Sequence, residues 1–171
     1  MAALKAIDPE DIILRNMTME DIPDIMLIEH EAFSLPWSEE AFRNELTHNH
    51  FARYLVMEHE GGLIGYAGMW NIVDESHVTN IAIRTVYRGL GLGKRLLRAM
   101  MDWAIELGML RMTLEVRISN LAAQSLYSKF GFYPVGTRKG YYSDNHEDAV
   151  IMWCELPQRE YGAEEEGSEW D

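Results

Sequence analysis

Arg88-Gly89-Leu90-Gly91-Leu92-Gly93-Lys94 has the make-up of a loop that holds phosphate. It follows a β-branched run, Val78-Thr79-Asn80-Ile81-Ala82-Ile83, and leads into a helix-like run from Lys94 to Leu107. Glycines let the backbone come close to a ligand and take φ > 0. The first N–H groups of a helix have no partner within it and sit at the positive end of its dipole, so an anion is held there. Two common phosphate loops do not fit. Position 88 is Arg and Arg95 follows Lys94, against G-x-x-x-x-G-K-[ST]; Lys94 also stands where G-x-G-x-x-G needs glycine. The plain alternative is a glycine-rich helix start with no ligand.

Glu115 and Tyr127 are the candidate proton-transfer groups. Glu115 lies in a strand-like run, Met112-Thr113-Leu114-Glu115-Val116. Apolar neighbours disfavour the charged form of a carboxylate, so its pKa is expected to rise toward a useful range. An outward-facing strand glutamate is the bland reading. Tyr127 follows Asn120 by two helical turns and shares a face with Ala123; alone it reads as a packed aromatic. His77 is a second possible base, or a half-buried strand histidine with an ordinary hydrogen bond.

Other patterns carry less. His48 and His50 are two apart, which does not put both rings on one helix face, and no cysteine cluster accompanies them, so no metal site is expected. Cys154 adjoins the apolar run Ala149 to Trp153 and reads as core filler. The eleven methionines are scattered. No G-x-S-x-G nucleophile elbow occurs.

The elements that must position these residues alternate. A strand is predicted at 12–15, and a helix from Thr18 or Asp21 to about Phe33, broken at Pro36-Trp37-Ser38. A second helix runs from Ser38 to about His48. Strands at 54–57 and 63–70 are joined by a hairpin through Gly61-Gly62. A strand at 77–83, a helix to Leu107 closed by Gly108, and a strand at 112–116 follow. A helix from Asn120 to Phe130 precedes two strands, at 133–138 and 149–155. This predicts an α/β domain with a mixed, mostly antiparallel sheet and helices on both faces.

Length and charge bound the function. At 171 residues one domain is expected. No apolar run approaches the roughly 20 residues of a membrane span. The N-terminus does not read as a signal peptide. A cytoplasmic protein with no membrane partner is expected. The formal net charge of −13 argues against direct nucleic-acid binding and suits a basic protein partner. Part of that charge lies after Pro157, where residues 157–171 read as a disordered acidic tail.

Arg88-x-x-Gly91-x-Gly93 resembles the pyrophosphate loop of the GCN5-related N-acetyltransferases, which bind acetyl-CoA. The run from Leu114 to Phe132 resembles the same family's signature, in which a strand splits from its neighbour, a helix with a tyrosine follows and Gly131-Phe132 closes it. Tyr141-Tyr142 with Glu147-Asp148, Ser34-Leu35-Pro36-Trp37-Ser38 and Thr79-Asn80-Ile81-Ala82 resemble the branch that acetylates the N-terminal alanine of a ribosomal protein. His77 to Ala82 is also similar to archaeal protein N-terminal acetyltransferases. The likeness covers about residues 12 to 156 and leaves 1–11 as an N-terminal extension.

The resemblance implies a splayed sheet holding acetyl-CoA as co-substrate, with no metal. Backbone groups of Ile81, Ala82 and Ile83 would meet the pantetheine arm, and Asn120 would touch it. Arg88, Gly89, Leu90, Gly91, Leu92, Gly93 and Lys94 would hold the pyrophosphate. Glu115 would be the general base and Tyr127 the general acid. Phe33, Trp37, Tyr141 and Tyr142 would line a slot for the N-terminus of a basic ribosomal protein. A monomer or weak dimer is expected. Two rival readings remain: a polyamine or aminoglycoside acetyltransferase, which Tyr141-Tyr142 and Glu147-Asp148 count against, and a non-catalytic acyl-CoA-binding module.

Overall fold

A computed structural model describes residues 7–158. The acidic stretch 159–171 and residues 1–6 lie outside the described residues. Seven strands form one sheet: β1 (Ile12–Asn16), β2 (Ala52–His59), β3 (Gly62–Ile72), β4 (Glu75–Ile83), β5 (Arg111–Arg117), β6 (Tyr133–Arg138) and β7 (Ala149–Glu155). The helices are α1 (Ile22–Ala32), α2 (Glu39–Thr47), α3 (Leu92–Glu106) and α4 (Leu121–Lys129). The sheet order is β1-β2-β3-β4-β5-β7-β6, antiparallel except where β4 meets β5. The predicted α/β class, element order and mixed sheet are therefore observed. One turn differs: the β2–β3 hairpin turns on Glu60 and Gly61, both with positive φ, and Gly62 already belongs to β3.

Each face of the sheet carries its own core. Leu96, Leu97 and Met100 of α3 pack with Tyr127 of α4 over Met57, Met69, Met112 and Leu114. On the other face Ile22, Ile25 and Ile28 of α1 and Phe42 of α2 pack over Tyr54, Val56 and Tyr66. Three isoleucines at i, i+3 and i+6 put one apolar stripe of α1 on the sheet. Burying such side chains contributes about 1.5–3 kcal/mol apiece. Ser38 caps α2 by accepting the Ala41 N–H at 3.1 Å, which fixes where that helix begins.

Two irregularities shape the site. First, β4 and β5 pair only from Glu75–Arg111 to His77–Thr113, then part. Second, Gly68 pairs with Asn80 and Met69 with Val78, which leaves Thr79 as an extra residue in β4. Such a bulge reverses the alternation of faces. Val78 packs with the α3 core, whereas Ala82 packs with the α1–α2 core. Gly68 is required beside the bulge: a Cβ there would lie 2.1 Å from Cε1 of Tyr54.

Candidate active site

Where β4 and β5 part, a cleft of about 960 Å³ opens. Strand alternation supplies its floor. Met112, Leu114 and Val116 are buried, so Thr113, Glu115 and Arg117 point the other way. Glu115 and Arg117 line the cleft with Asn80 and Ile81 of β4, joined by Asn120 at the start of α4 and Tyr127 within it.

Glu115 is held by two basic side chains from other strands. Its Oε2 lies 2.6 Å from His77 Nε2 and its Oε1 lies 3.3 Å from Arg138 Nε. The expected upward pKa shift is not observed. Burial is the largest single influence and does push the carboxyl up, but the His77 hydrogen bond and the His77 and Arg138 charges together hold it below the ordinary glutamate range. Tyr127 is 8% exposed, packs against Phe132 and has its phenol pushed up to about 12 by burial.

Two loops form the cleft's outer walls. The α1–α2 connection contributes Phe33, Ser34, Leu35 and Trp37; the β6–β7 connection contributes Tyr141 and Tyr142. Arg117 fastens the second loop. Its guanidinium sits 3.9 Å from the centre of the Tyr142 ring, 2.8 Å from Asp144 and 3.3 Å from Glu147. Glu147 also accepts the Ser119 N–H at 2.8 Å. These contacts hold both carboxylates low, that of Asp144 chiefly through Ser34 and Arg117, that of Glu147 chiefly through Ser119. The Ser34 hydroxyl donates to Asp144 at 2.6 Å, so the two walls touch across the mouth. The Tyr141 and Tyr142 rings stand edge-to-face 5.0 Å apart, and burial pushes the Tyr142 phenol up to about 12.

The glycine loop lies beyond the end of β4. Arg88 Nε donates to the Ile83 carbonyl at 3.3 Å, which ties the loop to that strand. Gly91 starts α3 with φ 76°, and a Cβ at Gly89, Gly91 or Gly93 would meet nothing within 4 Å. The open face over an unpaired helix start, with Arg88 and Lys94 beside it, fits a diphosphate. Ile81 reaches the cleft, while Ala82 is buried and can offer only backbone; Ile83 packs against the α3 core. Asn120 lines the cleft and also caps α4 through the Ala123 N–H at 3.1 Å.

The residues expected at the catalytic and acceptor positions thus share one cleft, Glu115, Tyr127, Phe33, Trp37, Tyr141 and Tyr142, together with Asn120, expected on the cofactor's arm. Sequence reasoning missed Glu29, Arg117 and Asp144, and used Glu147 only as part of a family pattern. Glu29 is only 1% exposed, yet it lines the cleft. In sequence it is one more residue at helical spacing, and nothing local marks its carboxylate as inward.

A split parallel pair, a phosphate-type loop and a carboxylate–tyrosine cleft define an acyl-transfer fold. The family described as "Acetyltransferase (GNAT) family" matches residues 22–132, and the chain belongs to it. A relative from Bacillus subtilis (strain 168), provisionally named a [ribosomal protein bS18]-alanine N-acetyltransferase, is 49% identical over 143 residues, covering 84% of this chain and 95% of that one. A [ribosomal protein bS18]-alanine N-acetyltransferase from Escherichia coli (strain K12) is 35% identical over 143 residues, covering 81% and 94%. The crystal structure of the ribosomal-protein-S18-alanine N-acetyltransferase from Escherichia coli superposes with a TM-score of 0.80 at 30% identity, covering 90% of this chain and 97% of that one.

Proposed function

We propose that the chain moves an acetyl group from acetyl-CoA to the α-amine of an N-terminal alanine, on a ribosomal protein of the bS18 type. The observation that carries this reading is the shared cleft of Glu115 and Tyr127 at the point where β4 and β5 separate. The relatives' names supply the acceptor.

An α-amine has pKa about 8, so roughly 10% is neutral at pH 7. Only the neutral amine attacks a thioester. Glu115 takes the amine proton, directly or through water. Held low by His77 and Arg138, it is ionised and ready throughout the neutral range. His77, hydrogen-bonded behind it, stabilises the charge as it changes. As the nitrogen–carbon bond forms and the carbon–sulfur bond breaks, Tyr127 supplies a proton to the departing sulfur. A phenol near 12 stays protonated until then, and burial of the sulfur beside it would raise the thiol's pKa in the same direction. Each such transfer is typically worth about 10²–10⁴-fold. Arg88 to Lys94 hold the diphosphate, and Phe33, Trp37, Tyr141 and Tyr142 enclose the first residue.

The test is a peptide that carries both an N-terminal alanine amine and a lysine side chain, incubated with acetyl-CoA and mapped by mass. A lysine amine has pKa about 10.4, so its neutral fraction near pH 7 is about two orders of magnitude lower. The acetyl group is expected on the α-amine. Modification mainly on lysine, or equal turnover of free polyamines, would sink the reading in favour of a small-amine enzyme; acetyl-CoA binding without turnover would favour a non-catalytic module.

A further inference from the structure

Glu29 closes the turn between α1 and α2 at both ends. Its carbonyl accepts the Phe33 N–H at 3.0 Å and its Oε1 accepts the Trp37 N–H at 3.1 Å. The Tyr66 hydroxyl meets its other oxygen. Once ionised, as at about pH 8, the Glu29 carboxylate can only accept, so Tyr66 spends its single proton on it. The phenol oxygen is then left as an acceptor, and the Asn80 amide nitrogen donates to it at 3.4 Å. That direction fixes the amide: with Nδ2 turned to Tyr66, Oδ1 faces away. Asn80 is 5% exposed and lines the cleft, and its Oδ1 has no hydrogen-bond partner among the described residues. A buried acceptor left unpaired bears its desolvation cost without return, and a donor supplied by a ligand removes that cost.

We propose that Asn80 Oδ1 accepts an N–H of the acceptor's α-amine, and that Tyr66 and Glu29 are positioning residues that hold the Asn80 amide in the accepting orientation. The inference rests on the protein N-terminal acetyltransferase reading. The source of the N–H follows from placement. Asn80's partner Tyr66, and Glu29 behind it, belong to the α1–α2 face, whose turn carries Phe33 and Trp37 of the acceptor wall. An amine has N–H groups to spare after giving one proton to a base. Binding one of them to a fixed oxygen would also aim its lone pair. An amide of the pantetheine arm is the other N–H source in the cleft.

The experiment measures KM for an alanine-initiated peptide and for acetyl-CoA separately, at about pH 8, in the wild type, Asn80→Ala, Tyr66→Phe and the double variant. Asn80→Ala is expected to raise the peptide KM at least tenfold while the acetyl-CoA KM moves less than twofold. Tyr66→Phe should raise the peptide KM alone and add nothing further in the Asn80→Ala background, because it acts through that amide. A purely structural role for Tyr66 would add in both backgrounds and overturn its part. An unchanged peptide KM in Asn80→Ala, or a rise confined to acetyl-CoA, overturns the proposal. A wild type that does not turn over the peptide overturns the underlying reading instead, and shows this before any variant is made. Should Asn80→Ala not fold, Asn80→Ser takes its place in the same measurement. The wild type labelled with ¹⁵N-asparagine gives a second readout: the Asn80 side-chain amide signal should shift with peptide and not with acetyl-CoA alone. The reverse pattern would assign the oxygen to the pantetheine arm.

Discussion

His77 lies in the last pair that joins β4 to β5 and reaches past its own partner, Thr113, to Glu115 two residues further on, with Nε2 and Oε2 2.6 Å apart. The pair stands at the vertex of the split, so the carboxylate is anchored where the strands are still joined and faces the space where they are not. Glu115→Gln keeps the shape and removes the proton acceptor. A fall in kcat of about 10²-fold or more is expected at pH 7, shrinking as the pH rises and the amine becomes neutral without help. A deficit that stays constant across the pH profile would assign Glu115 to positioning alone.

Tyr127→Phe removes one oxygen from a residue whose ring packs against Phe132. Acetyl-CoA binding should survive, since the loop from Arg88 to Lys94 is untouched. The kcat should fall roughly 10²-fold. An unchanged kcat would reduce Tyr127 to a packing residue.

The loop itself is checked by thermal shift. Acetyl-CoA at about 100 times its Kd should stabilise the fold by about 2.7 kcal/mol. Gly91→Glu places a like charge against phosphate, at a position whose φ of 76° suits glycine, and should abolish that shift. The same shift in the variant and the wild type would show that phosphate is held elsewhere.

The proposed acceptor slot has aromatic walls, whose rings at Tyr141 and Tyr142 are braced by Arg117 and Arg138. A peptide beginning with alanine should be acetylated far faster than one beginning with leucine or phenylalanine. With a net charge of −13 on the chain, the rate for a basic peptide should also fall as salt is added. Equal rates for alanine and phenylalanine would remove the slot from the specificity argument.

How much of this was legible in the sequence depended on range. Helices and strands were readable because caps, glycines and apolar spacing are local signals, as at Ser38 before α2 and Gly108 after α3. The bulge at Thr79 was not, because it depends on Tyr54 filling the space over Gly68 from the neighbouring strand. The direction of the Glu115 shift was misjudged for a similar reason. Its own strand is apolar, and the two basic side chains that outweigh burial come from β4 and β6. The glycine loop and the tyrosine pair were recognisable as patterns, whereas Arg117 gave no sign that it pins the loop carrying that pair.

Glu29 gives a stability prediction with a defined sign. Burial is the main cause that pushes its carboxyl up to about 7, with the Trp37 N–H pulling the other way. An unfolded glutamate titrates near 4.3. Between those values the folded chain binds the extra proton, so this group's contribution is fully present below about pH 4.3 and is lost as the pH rises through about 7. Glu29→Gln carries no titration there, and its oxygen can still accept the Trp37 N–H. Comparing the two proteins also cancels the carboxylates whose pKa values are lowered, such as Asp21 and Asp144, which act with the opposite sign. The sequence pI near 4.8 favours working above about pH 5.5. From there to about pH 8, urea denaturation should show Glu29→Gln gaining about 2 kcal/mol on the wild type. A difference that stays flat over that range would mean that Glu29 does not titrate there, and that its carboxylate is ionised in the folded chain at every pH tested.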